Sequence, residues 1–283
     1  MELLRRHLGW FLVAALLVAN TGIYYAVLAE EPRQLTVAFL DIGQGDSIFI
    51  ESPSGNQVLV DGGPNAKVLQ ELGKVMPYYD RSIDMIIVTN PDQDHFAGFL
   101  DVLKKYDVEM VMEPGTIGKS QLYPEFEKAV AAEGATHILA RRGQTVDLGG
   151  GAYLKILFPD RDVSMETPND GSIVAKLVYG STMVMLTGDA TQKVENHLLV
   201  TNPGELKSDV LKVGHHGSRT STGSAFAAAV APTYAVISCG LSNRYGHPHQ
   251  ETLDTLGTFN VKIFRTDRDG TIIMHSDGAK IQM

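Results

Sequence analysis

Residues 34–283 are predicted to form a four-layer α/β sandwich, two packed sheets covered by helices, and three observations predict it. Short β-branched runs recur along the whole stretch, with helical spacing between many of them. The first three runs follow one another through tight turns, which argues against a doubly wound parallel sheet, because that fold begins with strand–helix units. No repeat and no low-complexity linker interrupts the stretch, so it is expected to be one domain.

The elements are expected in the following order. LTVAFLD (35–41) is strand-like, GQGD makes a Gly-rich turn, SIFIE (47–51) returns as a strand, and QVLVDGG (57–63) is a third strand ending in a turn. A helix is expected over 66–75, then the apolar β-branched strand MIIVT (85–89). Phe96, Phe99, Leu100 and Leu103 then recur at helical spacing. Further strands are expected at 108–112, 153–158, 172–180, 182–188, 209–214, 234–238, 262–264 and 271–275, with helices at 191–200, 223–230 and 250–256.

Composition narrows the class. Charged residues are 20% and hydrophobic residues 44%, which excludes a disordered tail and an all-membrane chain. Acids outnumber bases 33 to 24, and a net charge of −9 disfavours a protein whose main task is coating nucleic acid. An enzyme that touches nucleic acid locally is still admitted. The single cysteine, Cys239, rules out an internal disulfide and a cysteine-based zinc finger. It is expected to be a small buried filler.

Residues 1–33 are expected to be a membrane anchor with a short linker. Arg5 and Arg6 precede an uncharged stretch, 8–29, whose 22 residues reach about the ~30 Å of a hydrocarbon core at ~1.5 Å per residue. Trp10, Tyr24 and Tyr25 lie toward its two ends, where interfacial aromatics favour headgroups, and Glu30 and Glu31 follow. Basic residues before the span put the N-terminus in the cytoplasm and the main domain outside the membrane. The alternative is a signal peptide cleaved after Val27-Leu28-Ala29, which would make the protein secreted.

The polar clusters fall where predicted strands end. In TNPDQDH (89–95), the oxygens of Asn90, Asp92 and Asp94 and the imidazole of His95 suit a metal ion. A loop of Asx-turns capping the next helix accounts for the same residues. In TGDA (187–190), Asp189 is a ligand or an ordinary helix cap. In GHHGS (214–218), adjacent histidines are expected to point in different directions, so at most one of His215 and His216 would ligate a given metal. In YGHPH (245–249), a rigid turn presents His247 and His249, or the segment is a surface loop. His7, His137, His197 and His275 are expected to be structural.

In this order the clusters resemble the metallo-β-lactamase superfamily, and within it the ComEC-type hydrolase domains of bacterial DNA-uptake channels. The resemblance is carried by FLDIGQGDS (39–47), VDGG (60–63), NPDQDH (90–95), LTGDA (186–190), LKVGHHGSRTS (211–221), NRYGHPH (243–249) and RTDRDG (265–270), nearly all of the chain after residue 34. It implies an αββα sandwich with a metal site at one edge between the sheets. It does not imply DNA import, since one span is expected here in place of a multi-helix channel. The superfamily's His-x-His-x-Asp-His motif departs from its pattern at Asn90, while Asp92 is normal for the branch. Residues 169–172 (NDGS) stand where other members place a further histidine. The resemblance therefore leaves a first metal position, Asn90 and Asp92, poor in strong ligands. The second stays intact: Asp94 and His95, with Asp189 as bridge and His215 as a further ligand, His247 being a rival for that place.

One or two divalent ions are expected, and the oxygen-rich ligand set shifts preference from zinc toward manganese or magnesium with zinc still admitted. The expected chemistry is metal-assisted hydrolysis. Asp94 would ligate and orient water, and Ser218, His247 or His249 would hold or protonate the leaving oxygen. The resemblance suggests a phosphodiester substrate, single-stranded DNA. Over 207–250, Lys207, Lys212, Arg219 and Arg244 stand against Asp209, a local +3, although solvated surface charges would give the same count. Without aromatic–basic interleaving, a short contact around the reacting ester is expected and not a long groove. Two other functions stay open: a weakened binding module recognising nucleic acid or an envelope partner, motivated by Asn90, and hydrolysis of a lactam, lactone or thioester on the same fold. No protein partner follows from the sequence.

Overall fold

The computed structural model describes the backbone of residues 2–28 and 33–283, and side chains over 7–22 and from 33 onward. The chain divides into two compact units, Met1–Arg33 and Gln34–Met283. The first holds a single helix, Glu2–Leu28. Among the described residues no helix is long and apolar enough to cross a membrane. The predicted span 8–29 runs partly outside them: Ala29, Glu30 and Glu31 and the side chains of Tyr24 and Tyr25 lie outside the described residues.

In the second unit, β1 (Leu35–Phe39), β2 (Ile48–Glu51) and β3 (Gln57–Val60) form an antiparallel meander. β4 (Ser82–Ile87), β5 (Asp107–Glu113) and β6 (Thr136–Leu139) then add in parallel beyond β3. The second sheet starts antiparallel with β7 (Thr145–Gly149), β8 (Ala152–Phe158), β9 (Val174–Tyr179) and β10 (Thr182–Leu186). It continues in parallel through β11 (Val210–Lys212), β12 (Tyr234–Ile237) and β13 (Lys262–Arg265). The chain then returns to the first sheet, where β14 (Ile272–Ser276) pairs with β1 and β15 (Ile281–Gln282) closes the edge.

Alternation along the strands explains the layers. Side chains two apart share a face. Leu35, Val37 and Phe39 of β1 meet Leu154, Ile156, Leu177 and Val184 of the second sheet in a core between the sheets. Their neighbours on the other face, such as Ala38, Phe49, Leu59 and Ile86, pack under helices carrying Val68, Leu72, Phe96, Phe99 and Phe126. The outer face of the second sheet packs Met185, Leu211 and Ala235 against Val194, Leu198, Phe226 and Leu256. Both faces of each sheet are thus covered, which is the expected sandwich and the reason the strands are near-continuous apolar runs.

Several elements depart from expectation. The helix expected around Phe96 is two short helices, Gln93–Phe96 and Phe99–Val102, because the loop after β3 takes the backbone partners between them: the Gly98 N–H donates to the Gly63 carbonyl and the His95 carbonyl accepts from the Gly62 N–H. β6 and β7 were not anticipated; as mostly exposed edge strands they carry little apolar alternation. The helix Tyr123–Glu133 was not anticipated either, although Pro124 in its first turn and Gly134 at φ +74° after its end are the usual start and stop signals.

Candidate metal centre

The parallel strands β3 and β4 in one sheet and β10, β11 and β12 in the other release loops from their C-terminal ends, where the polar clusters begin. Those loops touch. Gly188, just after β10, has φ +49°, and a Cβ there would meet Thr89 Oγ1 at 2.7 Å. Only a glycine lets the two loops come this close.

Each imidazole is aimed by a buried partner. His95 is fully buried, with Nδ1 2.8 Å from Asp61 Oδ2. Asp61 is itself fixed by the Thr89 backbone N–H and hydroxyl, both at 2.7 Å. His216, also buried, has Nδ1 3.0 Å from the Ser238 carbonyl oxygen. A carbonyl only accepts, so Nδ1 carries the proton and the Nε2 lone pair faces inward. That Nε2 lies 3.3 Å from Asp94 Oδ2 and 3.5 Å from Asp189 Oδ1. His95 Nε2 lies 3.2 Å from Asp189 Oδ2, and His215 Nε2 3.7 Å from the same oxygen. Asp94, His95 and His216 bring ligand atoms within 4.8 Å of one another, and so do Asp46, Asp189 and His216.

These atoms fit a divalent cation. His95 Nε2, His216 Nε2 and Asp189 Oδ1 are buried and make no hydrogen bond. Orphaned buried polar atoms that face one another are costly unless a cation joins them. Two aimed imidazoles and two carboxylates form a mixed nitrogen and oxygen set of the kind divalent transition metals take. The ionisation pattern fits as well. Burial would push His216 down, yet Asp189 and Asp46 raise it to about 10. Burial is likewise overcome at His95, which Asp189 and Asp61 hold well above the ordinary imidazole range. Burial would raise Asp189, but His216 and His95 hold it well below the usual carboxylate range. The site is arranged around positive charge.

The residues singled out in the sequence divide into three groups. Asp94, His95 and Asp189 take part in the converging groups, whereas His215, its Nε2 3.7 Å from Asp189 Oδ2, stands beside them and joins none. At most one of the adjacent histidines is expected to ligate a given metal, and only His216 joins the converging groups; both residues are left-handed, at φ +48° and +55°, and their rings stand 67° apart with both near the Asp189 carboxylate. His215 is the more open of the two, its side chain 25% exposed against 1% for His216. His247 lies at the rim, its ring centroid 5.4 Å from that of His215 and 6.2 Å from that of His216. Burial and then the neighbouring imidazoles push it down to about 4. The third group stands outside the converging set. Asn90 Oδ1 accepts the Asp92 backbone N–H at 2.8 Å and its Nδ2 faces Ser172 Oγ at 3.4 Å. Asp92 contributes to none of the converging groups. Ser218 Oγ pairs with Thr220 Oγ1 at 3.0 Å, within its own loop.

The sequence gives no signal that assigns Asp46 or Asp61, its reading prefers His215 to His216 as ligand, and it counts Lys212 among the cations beside the site. Lys212 is fully buried, paired with Asp46 and 3.3 Å from the Gly188 carbonyl oxygen, so it is not available to a substrate. The local +3 is thereby reduced to fewer solvent-facing cations. Asp46 and Asp61 sit in the GQGD and VDGG turns, and a carboxylate beside glycine in a turn next to a strand is the available signal. A further brace comes from buried Glu195, which accepts the backbone N–H groups of Thr222 and Gly223, while Thr222 Oγ1 accepts that of Gly214 beside His215. Burial raises Glu195 to about 7, against those two hydrogen bonds.

A cleft of ≈ 560 Å³ opens beside Asp94, lined also by Gln44, Asn65, Gln93, Arg244 and Tyr245. Asp94 is the one carboxylate on a wall otherwise rich in hydrogen-bond donors.

Residues 40–241 match the model of the metallo-beta-lactamase superfamily. The chain is 33% identical over 269 residues to ComE operon protein 3 of Bacillus subtilis (strain 168), covering 88% of this chain and 33% of that protein. It is 32% identical over 274 residues to competence protein ComA of Neisseria gonorrhoeae, covering 95% of this chain and 36% of that one. It therefore spans about a third of the length of these curated relatives. Among solved structures, Igni18, a metallo hydrolase from the archaeon Ignicoccus hospitalis, superposes with a TM-score of 0.55 at 14% identity, covering 84% of this chain and 98% of that one. The last likeness concerns the fold alone.

Proposed function

The chain belongs to the metallo-β-lactamase superfamily, on its ComEC-like branch, and from that premise we propose that it is a metal-dependent phosphodiesterase that cuts single-stranded DNA. The fold is that of metal-dependent hydrolases. The observation that carries the proposal is the set of three orphaned buried atoms, His95 Nε2, His216 Nε2 and Asp189 Oδ1, beside a donor-lined cleft. A bound divalent cation supplies Lewis acidity at the ester and acidifies water.

The chain's own residues do the rest. Asp61 and the Ser238 carbonyl lock the two imidazoles in one tautomer and orientation. Asp94, half-buried at the cleft wall, is placed to orient the attacking water. His247 is neutral at pH 7, so it would hold a leaving oxygen through a ring N–H and would not protonate it as an imidazolium. Manganese is favoured over zinc by the carboxylate share of the ligands. We place the domain outside the cytoplasmic membrane from the charges of Arg5 and Arg6 at the N-terminal end of the helix Glu2–Leu28. Recovery of the whole protein from membranes by a salt wash would refute the tether.

The test is hydrolysis of bis(p-nitrophenyl) phosphate and of single-stranded DNA with manganese or zinc added. Asp94→Ala is expected to lower both rates by ~100-fold or more, beyond the ~10–100-fold typical of residues that only orient ligands. An unchanged rate would refute the site. A weakened binding module is the second proposal, favoured by the way Asn90 and Ser172 pair with each other where the superfamily has histidines. DNA binding without hydrolysis of either substrate would select it.

A further inference from the structure

Arg244 is an exposed cation with no carboxylate of its own. It sits in the loop after β12, which is knitted by one side chain: Asn243 Oδ1 accepts the backbone N–H groups of Tyr245 and His247, and its Nδ2 donates to the carbonyls of Gly240 and His247. On that rigid loop the Arg244 guanidinium lies 4.8 Å from the Tyr245 ring centroid and donates to Tyr245 Oη at 2.6 Å. Tyr245 is in turn stacked on His247, with centroids 5.6 Å apart and planes at 22°. The arginine is therefore held at one end of a chain of rings that reaches the metal cluster. Among the described residues no acid forms an ion pair with it, and it shares the cleft with Asp94. Across that cleft, Gln44 is fixed through Oε1 by the Gly240 backbone N–H, leaving its buried Nε2 without a partner. A pre-positioned planar fork of donors that forms no ion pair among the described residues matches the oxygens of a phosphate.

Building on the phosphodiesterase function, we propose that Arg244 binds a non-reacting phosphate of the substrate strand, next to the ester being cut, and so makes the enzyme select polynucleotides over isolated diesters. Tyr245 is the positioning residue that holds the guanidinium over the cleft. The reacting ester lies at the Asp94 side and the neighbouring linkage at the Arg244 side.

The experiment compares wild type, Arg244→Ala and Arg244→Lys as manganese-loaded full chains on two substrates. A short oligothymidylate offers the second phosphate, and bis(p-nitrophenyl) phosphate has none. In Arg244→Ala the ratio of kcat/KM for the oligonucleotide over that for the small diester should fall about tenfold, through KM, as expected for one lost charge-assisted contact. Oligonucleotide binding, read by fluorescence anisotropy, should weaken similarly, and the slope of log affinity against log salt should flatten by about 0.7, one phosphate contact on a single strand. Arg244→Lys should keep most of that slope and recover part of the ratio. An unchanged ratio and an unchanged salt slope would overturn the proposal. Wild-type protein that binds the oligonucleotide yet cleaves neither substrate would instead sink the phosphodiesterase function, with the anisotropy slopes still deciding whether Arg244 grips phosphate.

Discussion

Two neighbouring positions at the same sheet edge have opposite fates. Around Asp94, His95, His216 and Asp189, buried atoms are left without hydrogen bonds and face one another. Around Asn90 and Ser172, the side chains are engaged locally: Asn90 Oδ1 accepts the Asp92 backbone N–H, its Nδ2 faces Ser172 Oγ, and Ser172 Oγ donates to the Pro168 carbonyl. Both stretches descend from strand ends and both are rich in oxygen. The difference lies in what each side chain already does. An amide oxygen that accepts a backbone N–H is aimed at that N–H, so buried unsatisfied atoms that converge mark a ligand site better than residue type does.

The sharpest way to break this comparison is on its open side. His216→Ala should abolish stoichiometric metal binding and lower hydrolysis by ~100-fold or more, while His215→Ala, at the partly exposed neighbour, should cost about tenfold or less. Elemental analysis and steady-state rates on both variants check the order, and a larger loss at His215 would reverse the assignment of the ligand.

A medium effect tests the brace behind the open side. Glu195 titrates at about 7 in the folded chain against an unfolded value of 4.5. A raised carboxyl favours the protonated form, so its contribution is complete below pH 4.5 and is lost as pH rises toward 7. The loss across that window is on the order of 3 kcal/mol. Denaturant unfolding of metal-depleted wild type and Glu195→Gln from pH 4 to 8 should show the wild type losing stability relative to the variant over this range. A pH-independent difference would mean that the carboxyl does not titrate there.

The smallest effect is expected on the closed side. Asn90→His should leave the metal stoichiometry unchanged, because Ser172 and not histidine faces it, and should cost about 1 kcal/mol through the lost Asp92 cap. A second equivalent of metal, with a large gain in rate, would show that Asn90 alone had closed the position.

The sandwich was legible because both faces of each sheet are buried, which writes period-two and apolar runs directly into segments such as 35–41 and 182–188. Edge strands such as β7 lacked that pressure and left no pattern. Asp94, His95 and Asp189 stood out as a cluster because strand ends put them in short polar runs. His216 did not, since the choice between two adjacent histidines is made by left-handed backbone angles that no residue type announces. Lys212 was counted with the surface charges because nothing local reveals that its partner, Asp46, comes from a turn 166 positions earlier, between β1 and β2.

The converging atoms come from both halves of the sandwich: Asp94 and His95 hang from the first sheet, Asp189 and His216 from the second. An ion seated among them is a clasp between the halves as well as a reagent. Its binding free energy then adds to the work of prying the layers apart, by the logarithm of its concentration over its dissociation constant. Endurance and turnover would draw on the same metal supply, so a cell short of that metal would lose the protein itself along with its activity.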